Sequence, residues 1–511
     1  MRKLLAIISA IAMSAMLFSS VAFASETVAR KTDAGTFVIG GSEEPSTLEP
    51  ANAQLYTGWI FTSAIYDNLI KYDNETGEYV NVLAESVEFT TDTQLVIKLK
   101  SGIKFHDGSD LTADDVLFTL ERLAASSRYA TNYAAIDFEN CKVVDDTTLE
   151  VNLLTPFPAI LGFLAHPSAG IMSRAYFEAE GEEGLAQRPM GTGAFVFDSW
   201  TSGDRAVATK SSDYWDDSVD VAYDTLIVRF IPESTTRMIE FETGGIDAIM
   251  DLASADVDRI NNSEVSGAVL YSIPGEKITR LEMLDTYEPF ANPQVRLAVA
   301  HAIDIEGTVY AAYGNTAEYT TSVLPSDCKY YIEEPAYEYD PELAKQLLAE
   351  AGYPDGFTCQ CSVASASGDA KAMEIIQAQL AEIGITVEIT TTDITTSIVD
   401  MLNGVANFGV INGTVDSHDP DQALSNIKSE SPFMISSTND ETLNGYLVAG
   451  ATTADDAARA EAYTAAQDYL HENANSIPIS VNIINYACLD YVDNFPVEAS
   501  GFFDVKAVTF K

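Results

Sequence analysis

The stretch AMEIIQAQLAEIGITVEI, residues 372–389, changes its hydrophobic period halfway along. Ile376, Leu380 and Ile383 fall at i, i+4 and i+7, the spacing that lines one face of a helix. Gly384 stops that pattern. Ile385, Val387 and Ile389 then alternate, which is the period of a half-buried strand. A helix, a glycine and a strand in so short a span predict layered α/β architecture.

The same alternation recurs on both sides. In YDPELAKQLLAEAGYPDGF (339–357), Asp340 is placed to cap a helix, Pro341 suits its first position, and Gly352 with Pro354 ends it. PQVRLAVAHAIDIEGTVYAAYG (293–314) reads as a helix pair with Asp304 capping between its halves. Near the N-terminal end, GTFVIGGSEEPSTLEPA (35–51) gives a short strand at Phe37–Ile39 and then a turn. TQLVIKLKSGIKF (93–105) puts Leu95, Ile97 and Leu99 on one face of another strand. There is no short-period repeat, low-complexity tract or linker rich in Pro and Ser, so lobes in this chain are expected to be intertwined.

IKFHDGSDLTADDVLFTLERL (103–123) holds a histidine and several acids, and so offers itself as a metal or acid–base site. A structural reading accounts for each of them. Asp107-Gly108 is a turn pair, and Thr112 with Asp115 forms a capping pattern. Asp114 and Asp115 lie in the first turn, where the helix dipole favours negative charge. Val116, Leu120 and Leu123 form the buried stripe. His106 has no second His or Cys nearby, so this segment is expected to be scaffold.

At 511 residues the chain exceeds one ordinary core and predicts two or three lobes. Its 28 basic and 77 acidic residues give a net charge of −49, which argues against nucleic-acid or anionic-membrane partners. A field of this sign mildly favours cationic or amine ligands, while a diffuse acidic surface also serves solubility alone. Arg2 and Lys3 precede an apolar run from Leu4 to about Phe18, and Ala22-Phe23-Ala24 supplies a small–x–small cleavage pattern. Residues 1–24 therefore read as a signal peptide cut before Ser25, and the mature protein is expected in the periplasm or outside the cell. The five cysteines (Cys141, Cys328, Cys359, Cys361, Cys488) do not form a disulfide framework, and none follows the cleavage site as a lipobox cysteine would. Cys359 and Cys361 share a strand face without further metal ligands nearby.

Motifs for catalysis are missing from the sequence: no G-x-S-x-G, H-E-x-x-H, P-loop or G-x-G-x-x-G occurs. His471, in LHENANS, lacks the second histidine of a zinc pair. DSHDPD (416–421) surrounds His418 with Asp416, Asp419 and Asp421. That cluster could hold a cation through oxygen ligands, but it lacks the glycine and terminal Glu of a calcium loop. An enzyme is not expected, and no cofactor is implied.

Several segments, in order, resemble the solute-binding proteins of ABC importers for peptides, nickel and related solutes, bacterial extracellular family 5. These are KFHDGSDLTADDVLFTLER, GTGAFVFDSW with SSDYWDD, VRFIPESTTRMIEFETGGIDAI, PFANPQVRLAVAHAIDIEGTV, YDPELAKQLLAEAGYPDGF and IQAQLAEIGI. The resemblance implies an α/β, bilobal periplasmic-binding-protein-like class C fold (type II-like) with an additional α/β lobe. Lobe I would comprise 25–60, 190–279 and 485–511; lobe II 61–189; and lobe III 280–484. A monomer would capture solute in the cleft between lobes, close about a hinge, and deliver it to the permease subunits.

In peptide binders of the family, a W-x-x-D-x-x-D-P segment supplies an Asp for the peptide α-ammonium. GTVDSHDPDQAL (413–424) resembles it, which places Asp416 at the amine position, with Asn412 and Thr414 beside it as ligand-site residues. Gly413 stands where the family has Trp. The segment CSVASASGDAK (361–371), where dipeptide binders carry an Arg for the ligand carboxylate, has only Lys371 as a base. A longer peptide or another amine-bearing solute therefore fits better than a dipeptide held at both ends. Tyr129 and Tyr133 in SSRYATNYAAI (126–136) resemble loop aromatics that face the cleft. Alternatives are a nickel-chelate or oligosaccharide binder of the same family, and a chemosensory or surface module without transport. With Trp59, Trp200 and Trp215 as the only tryptophans, sugar platforms are few.

Overall fold

Two long strands organise the chain. Ala268–Met283 and Ser476–Leu489 pair antiparallel along most of their length, and both run from one hydrophobic core into another. At one end Ile484, Tyr486 and Cys488 join a core drawn from residues 37–250 and 492–508. At the other, Leu281, Met283, Ile477 and Ile479 join a core built from residues 281–479. The structure is a computed structural model that describes residues 35–511 apart from 54, 366–367, 425–426 and 429–439. The expected signal peptide lies outside the described residues.

One mixed sheet runs through both cores. From one edge its order is Thr386–Thr392, Thr358–Ala364, Phe408–Thr414, Ala268–Met283, Ser476–Leu489, Ala248–Ile249, Thr36–Gly41, Thr225–Phe230, Arg205–Lys210 and Phe195–Thr201. Ala317–Tyr319 branches onto Ser476–Leu489. Residues 372–389 fold as their two hydrophobic periods predict. Asp369–Ala381 is a helix, Ile376, Leu380 and Ile383 are buried, and Thr386–Thr392 pairs in parallel with Thr358–Ala364. Cys359 and Cys361 face the core from that strand, and all five cysteines are free thiols.

The two long strands do not pair evenly. Between Pro274 and Ile278 the register shifts, so Gly275, Glu276 and Lys277 stand against Asn482 alone. A Cβ at Gly275 would lie 2.5 Å from Asn482 Oδ1, so a larger residue there would have to displace that amide. A bulge of this kind re-aims the side chain it carries. Here that side chain is Glu276.

A separate antiparallel sheet, ordered Ala84–Thr91, Gln94–Leu99, Thr148–Asn152 and Lys142–Asp145, carries the helix Ala113–Ala125. The capping box expected at Thr112 and Asp115 is present. Asp115 Oδ2 accepts from Thr112 N at 2.9 Å, while Oδ1 accepts from Arg174 N at 2.9 Å. His106 donates from Nε2 to the Gly193 carbonyl at 2.8 Å. The helix caps expected at Asp304 and Asp340 also form, through Gly307 N and through Glu342 N and Leu343 N. No helix among the described residues is long and apolar enough to cross a membrane.

Candidate functional site

The strand Phe408–Thr414 ends where Val415 N donates to the Glu276 carbonyl at 3.1 Å, and the chain then turns sharply. His418 N closes the turn on the Val415 carbonyl, and His418 takes a left-handed φ of 56°. Such a conformation is uncommon for a residue with a side chain and holds only where the surroundings impose it. Its effect is to send the acids of DSHDPD in different directions. Asp419 turns inward to a buried ion pair with Arg459 at 2.8 Å. Asp421 turns toward Tyr463 and Lys428. Asp416 and His418 face a cavity of about 590 Å³.

Asp416 is half-buried. Its Oδ1 accepts from Gln422 Nε2 at 2.6 Å, and its Oδ2 lies 3.6 Å from His166 Nε2. Ser168 N donates to His166 Nδ1 at 3.1 Å, so Nδ1 is an acceptor and the neutral ring carries its proton on Nε2, the side of Asp416. Burial holds His166 below the usual histidine range, against the pull of Asp416. Trp59 and Phe502 meet the imidazole edge-on. One Asp416 oxygen is thus fixed by an amide and the other is left beside a neutral ring.

The cavity is acidic. Seven carboxylate residues line it against two lysines, Lys71 and Lys506. Lys506 is engaged by the buried Asp67 at 3.2 Å. Burial and the neighbouring Asp504 push the Glu498 carboxyl up to about 7. Behind the wall, burial together with Asp327 and Asp416 pushes Glu276 well above the carboxylate range. A cavity with this charge has its strongest unmet interaction with a cation.

Residues 61–189 meet the Asp416 turn directly. Tyr79 donates to the Ser417 carbonyl at 3.0 Å, and Tyr72 donates to the Asp327 carbonyl at 3.1 Å. Gly162 packs so closely that a Cβ there would lie 2.1 Å from the Ser417 carbonyl oxygen.

Of the residues expected at the ligand site, Asp416 lines the cavity. Tyr129 is buried beside it, its ring centroid 5.7 Å from that of His166, with Arg128 Nε donating to its hydroxyl. Tyr133 is a core residue. It is 1% exposed, and its hydroxyl donates to the Phe163 carbonyl. Asn412 is held in the sheet by Thr279 and Asp369. Thr414 is exposed at the strand end, opposite Lys277. Neither Asn412 nor Thr414 lines the cavity. Lys371 donates to the Ala311 carbonyl, away from the cavity. Among the described residues, a Cβ on Gly413 would have only Arg280 Nη2 within 4 Å, at 3.9 Å. Sequence reasoning missed His166, Glu276 and Asp327. His418 carried a signal, the cation-capable DSHDPD cluster; the other three are isolated residues in unremarked segments.

Comparison with known proteins agrees with this architecture. The family described as bacterial extracellular solute-binding proteins, family 5 middle region, matches residues 78–434. The chain is 28% identical over 460 residues to the glutathione-binding protein GsiB of Escherichia coli, covering 87% of this chain and 88% of that protein. Among solved structures, HbpA2 from Haemophilus parasuis superposes with a TM-score of 0.85 at 25% identity, over 93% of this chain and all of that one. The periplasmic binding protein DppA from Helicobacter pylori, in complex with the peptide STSA, gives a TM-score of 0.70 at 25% identity, over 93% and 98% of the two chains.

Proposed function

The chain belongs to the bacterial extracellular solute-binding proteins of family 5, and from that premise we propose that the solute it delivers to an ABC importer is a peptide or related amine-bearing compound held through Asp416. One observation carries this reading. Asp416 stands half-buried on an acidic cavity wall with one oxygen 3.6 Å from the neutral His166 ring. An ammonium placed there gains a charge-assisted hydrogen bond inside a partly desolvated site. Two relatives support it: GsiB binds glutathione and DppA holds the peptide STSA, and both ligands bear a free amine. The exposed Lys71 at the cavity is the base best placed to meet an anionic end of the solute.

On this reading the protein captures and releases, with no chemical step of its own. It acts as a monomer outside the cytoplasm, and the two sides of the cavity come from the lobes implied by the family resemblance. The test is thermal unfolding and calorimetry of the protein cleaved before Ser25, against glutathione, peptide pools and the same peptides N-acetylated. A ligand at a hundredfold excess over its Kd stabilises by about 2.7 kcal/mol, which is readily seen. Free-amine peptides should raise the midpoint, acetylated ones should not, and Asp416→Asn should abolish the shift. Equal binding of acetylated peptides would overturn the amine assignment.

A further inference from the structure

Three side chains from distant parts of the sequence converge beside the cavity. Glu276 arrives on the bulge of the long strand, Asp327 on the loop that precedes Lys329, and His418 on the strained turn after Asp416. Each offers a ligand atom within 4.8 Å of the other two. His418 Nδ1 stands 3.1 Å from Asp327 Oδ2 and 3.5 Å from Glu276 Oε1. Metal–ligand bonds of about 2.0–2.2 Å place neighbouring ligand atoms roughly 2.8–3.6 Å apart between octahedral and tetrahedral geometry, so both spacings suit adjacent positions around one ion.

A second feature points to a ligand. Glu276 Oε1, both Asp327 carboxylate oxygens and His418 Nδ1 are buried and make no hydrogen bond among the described residues. The Glu276 and His418 side chains are only 2% and 9% exposed. Buried polar atoms are ordinarily satisfied, and four orphans meeting at one point call for a shared partner. The supports are already in place. Tyr72 stacks flat on the imidazole, and the backbone at His418 is tied to the Asp327 loop by Lys329 N donating to the His418 carbonyl at 2.9 Å.

We propose that Glu276, Asp327 and His418 hold one divalent transition-metal ion, with its remaining coordination positions open to the cavity that Asp327 and His418 line. Two carboxylates and one imidazole are borderline donors that suit zinc, cobalt, nickel or manganese better than calcium. The site is distinct from the amine position at Asp416 and does not depend on it.

The experiment uses the full mature protein, freed of metal by chelator dialysis, and titrates Co²⁺ by its visible absorption and Zn²⁺ by competition. Bound metal is counted by mass spectrometry. One equivalent should bind, and Glu276→Gln and His418→Gln should each weaken it by about a hundredfold or more. Asp327→Asn is the guard against misfolding, because the loop is anchored through its backbone carbonyl. It should lose the metal while keeping the metal-free unfolding midpoint. Asp416→Asn should still bind one equivalent of Co²⁺, which separates this proposal from the peptide reading. Absence of stoichiometric binding would overturn the site. Binding that survives all three ligand variants would overturn it equally, as ions held by the acidic surface.

Discussion

Tyr72 lies flat on His418, with ring centroids 4.0 Å apart and planes 11° from parallel. The tyrosine belongs to a hairpin, Ile70–Asp73 with Glu78–Asn81, and the histidine to the turn that presents Asp416. The hydroxyl of the same tyrosine reaches the Asp327 carbonyl. One side chain thus joins the two sides of the cavity by a stack and a hydrogen bond, worth together about 1–3 kcal/mol. Tyr72→Ala should weaken solute binding roughly 5- to 100-fold, and Tyr72→Phe only a few-fold. Calorimetry with the solute found by thermal screening reads both, and equal losses in the two variants would mean the stack contributes nothing.

Gly162 should act through closure rather than folding. It sits in the helix Ile160–Ala165, where alanine is locally acceptable and slightly favoured. An added Cβ nevertheless meets the Ser417 carbonyl at 2.1 Å, and backbone cannot move aside as a side chain can. Gly162→Ala should therefore push the two sides of the cavity apart. Small-angle scattering should show a larger radius for the variant, affinity should fall about tenfold or more, and the unfolding midpoint should change little. A midpoint that drops sharply would place Gly162 in the fold rather than in the contact.

The parts of this molecule that the sequence discloses are the local ones. The caps at Asp304 and Asp340 and the Thr112–Asp115 box depend on residues two or three positions apart, so their patterns are written in a single stretch. The period change at Gly384 is of the same kind. The site is assembled differently. Glu276 reaches His418 only because a strand bulges and pairs with one that ends at Thr414. Asp327 enters on a loop with no pattern of its own. DSHDPD reads as one cluster because its residues are adjacent, yet a single left-handed residue sends Asp419 to the interior and His418 to the cavity. Tyr133 resembles a cleft aromatic in sequence, but the direction of its ring is set by the core that receives it and by the Phe163 carbonyl.

His106 gives a pH signature remote from the cavity. Burial holds its pKa below the ordinary histidine value, and with Nε2–H spent on the Gly193 carbonyl, Nδ1 is buried without a partner among the described residues. The unfolded chain therefore takes up a proton near pH 6.5 that the folded chain resists, so stability from this group is present above that pH and is lost as pH falls through the folded value. The slope is at most about 1.4 kcal/mol per pH unit. His106→Gln keeps a donor near the Gly193 carbonyl but cannot titrate. Urea unfolding of both proteins from pH 8 to 5 should show the wild type losing its advantage as pH falls, whereas a constant difference would mean that His106 does not resist protonation.

Arg459 tests the inward half of the turn. Its guanidinium pairs with Asp419 at 2.8 Å and donates from Nε to the Gly450 carbonyl at 3.0 Å, with side-chain exposures of 6% for Arg459 and 1% for Asp419. Removing one member leaves a charge in a site that cannot solvate it, at a cost of about 3–5 kcal/mol. Removing both spares that penalty. Arg459→Met should therefore destabilise strongly, and Arg459→Met with Asp419→Asn should recover part of the loss, as a double-mutant cycle in denaturant will show. Because Asp419 follows His418 directly, the single variant should also loosen the turn that aims Asp416 and weaken solute binding beyond what the stability loss alone produces. Unchanged affinity in a folded Arg459→Met protein would show that the turn is set by its own backbone and by Tyr72, and that the buried pair serves the interior alone.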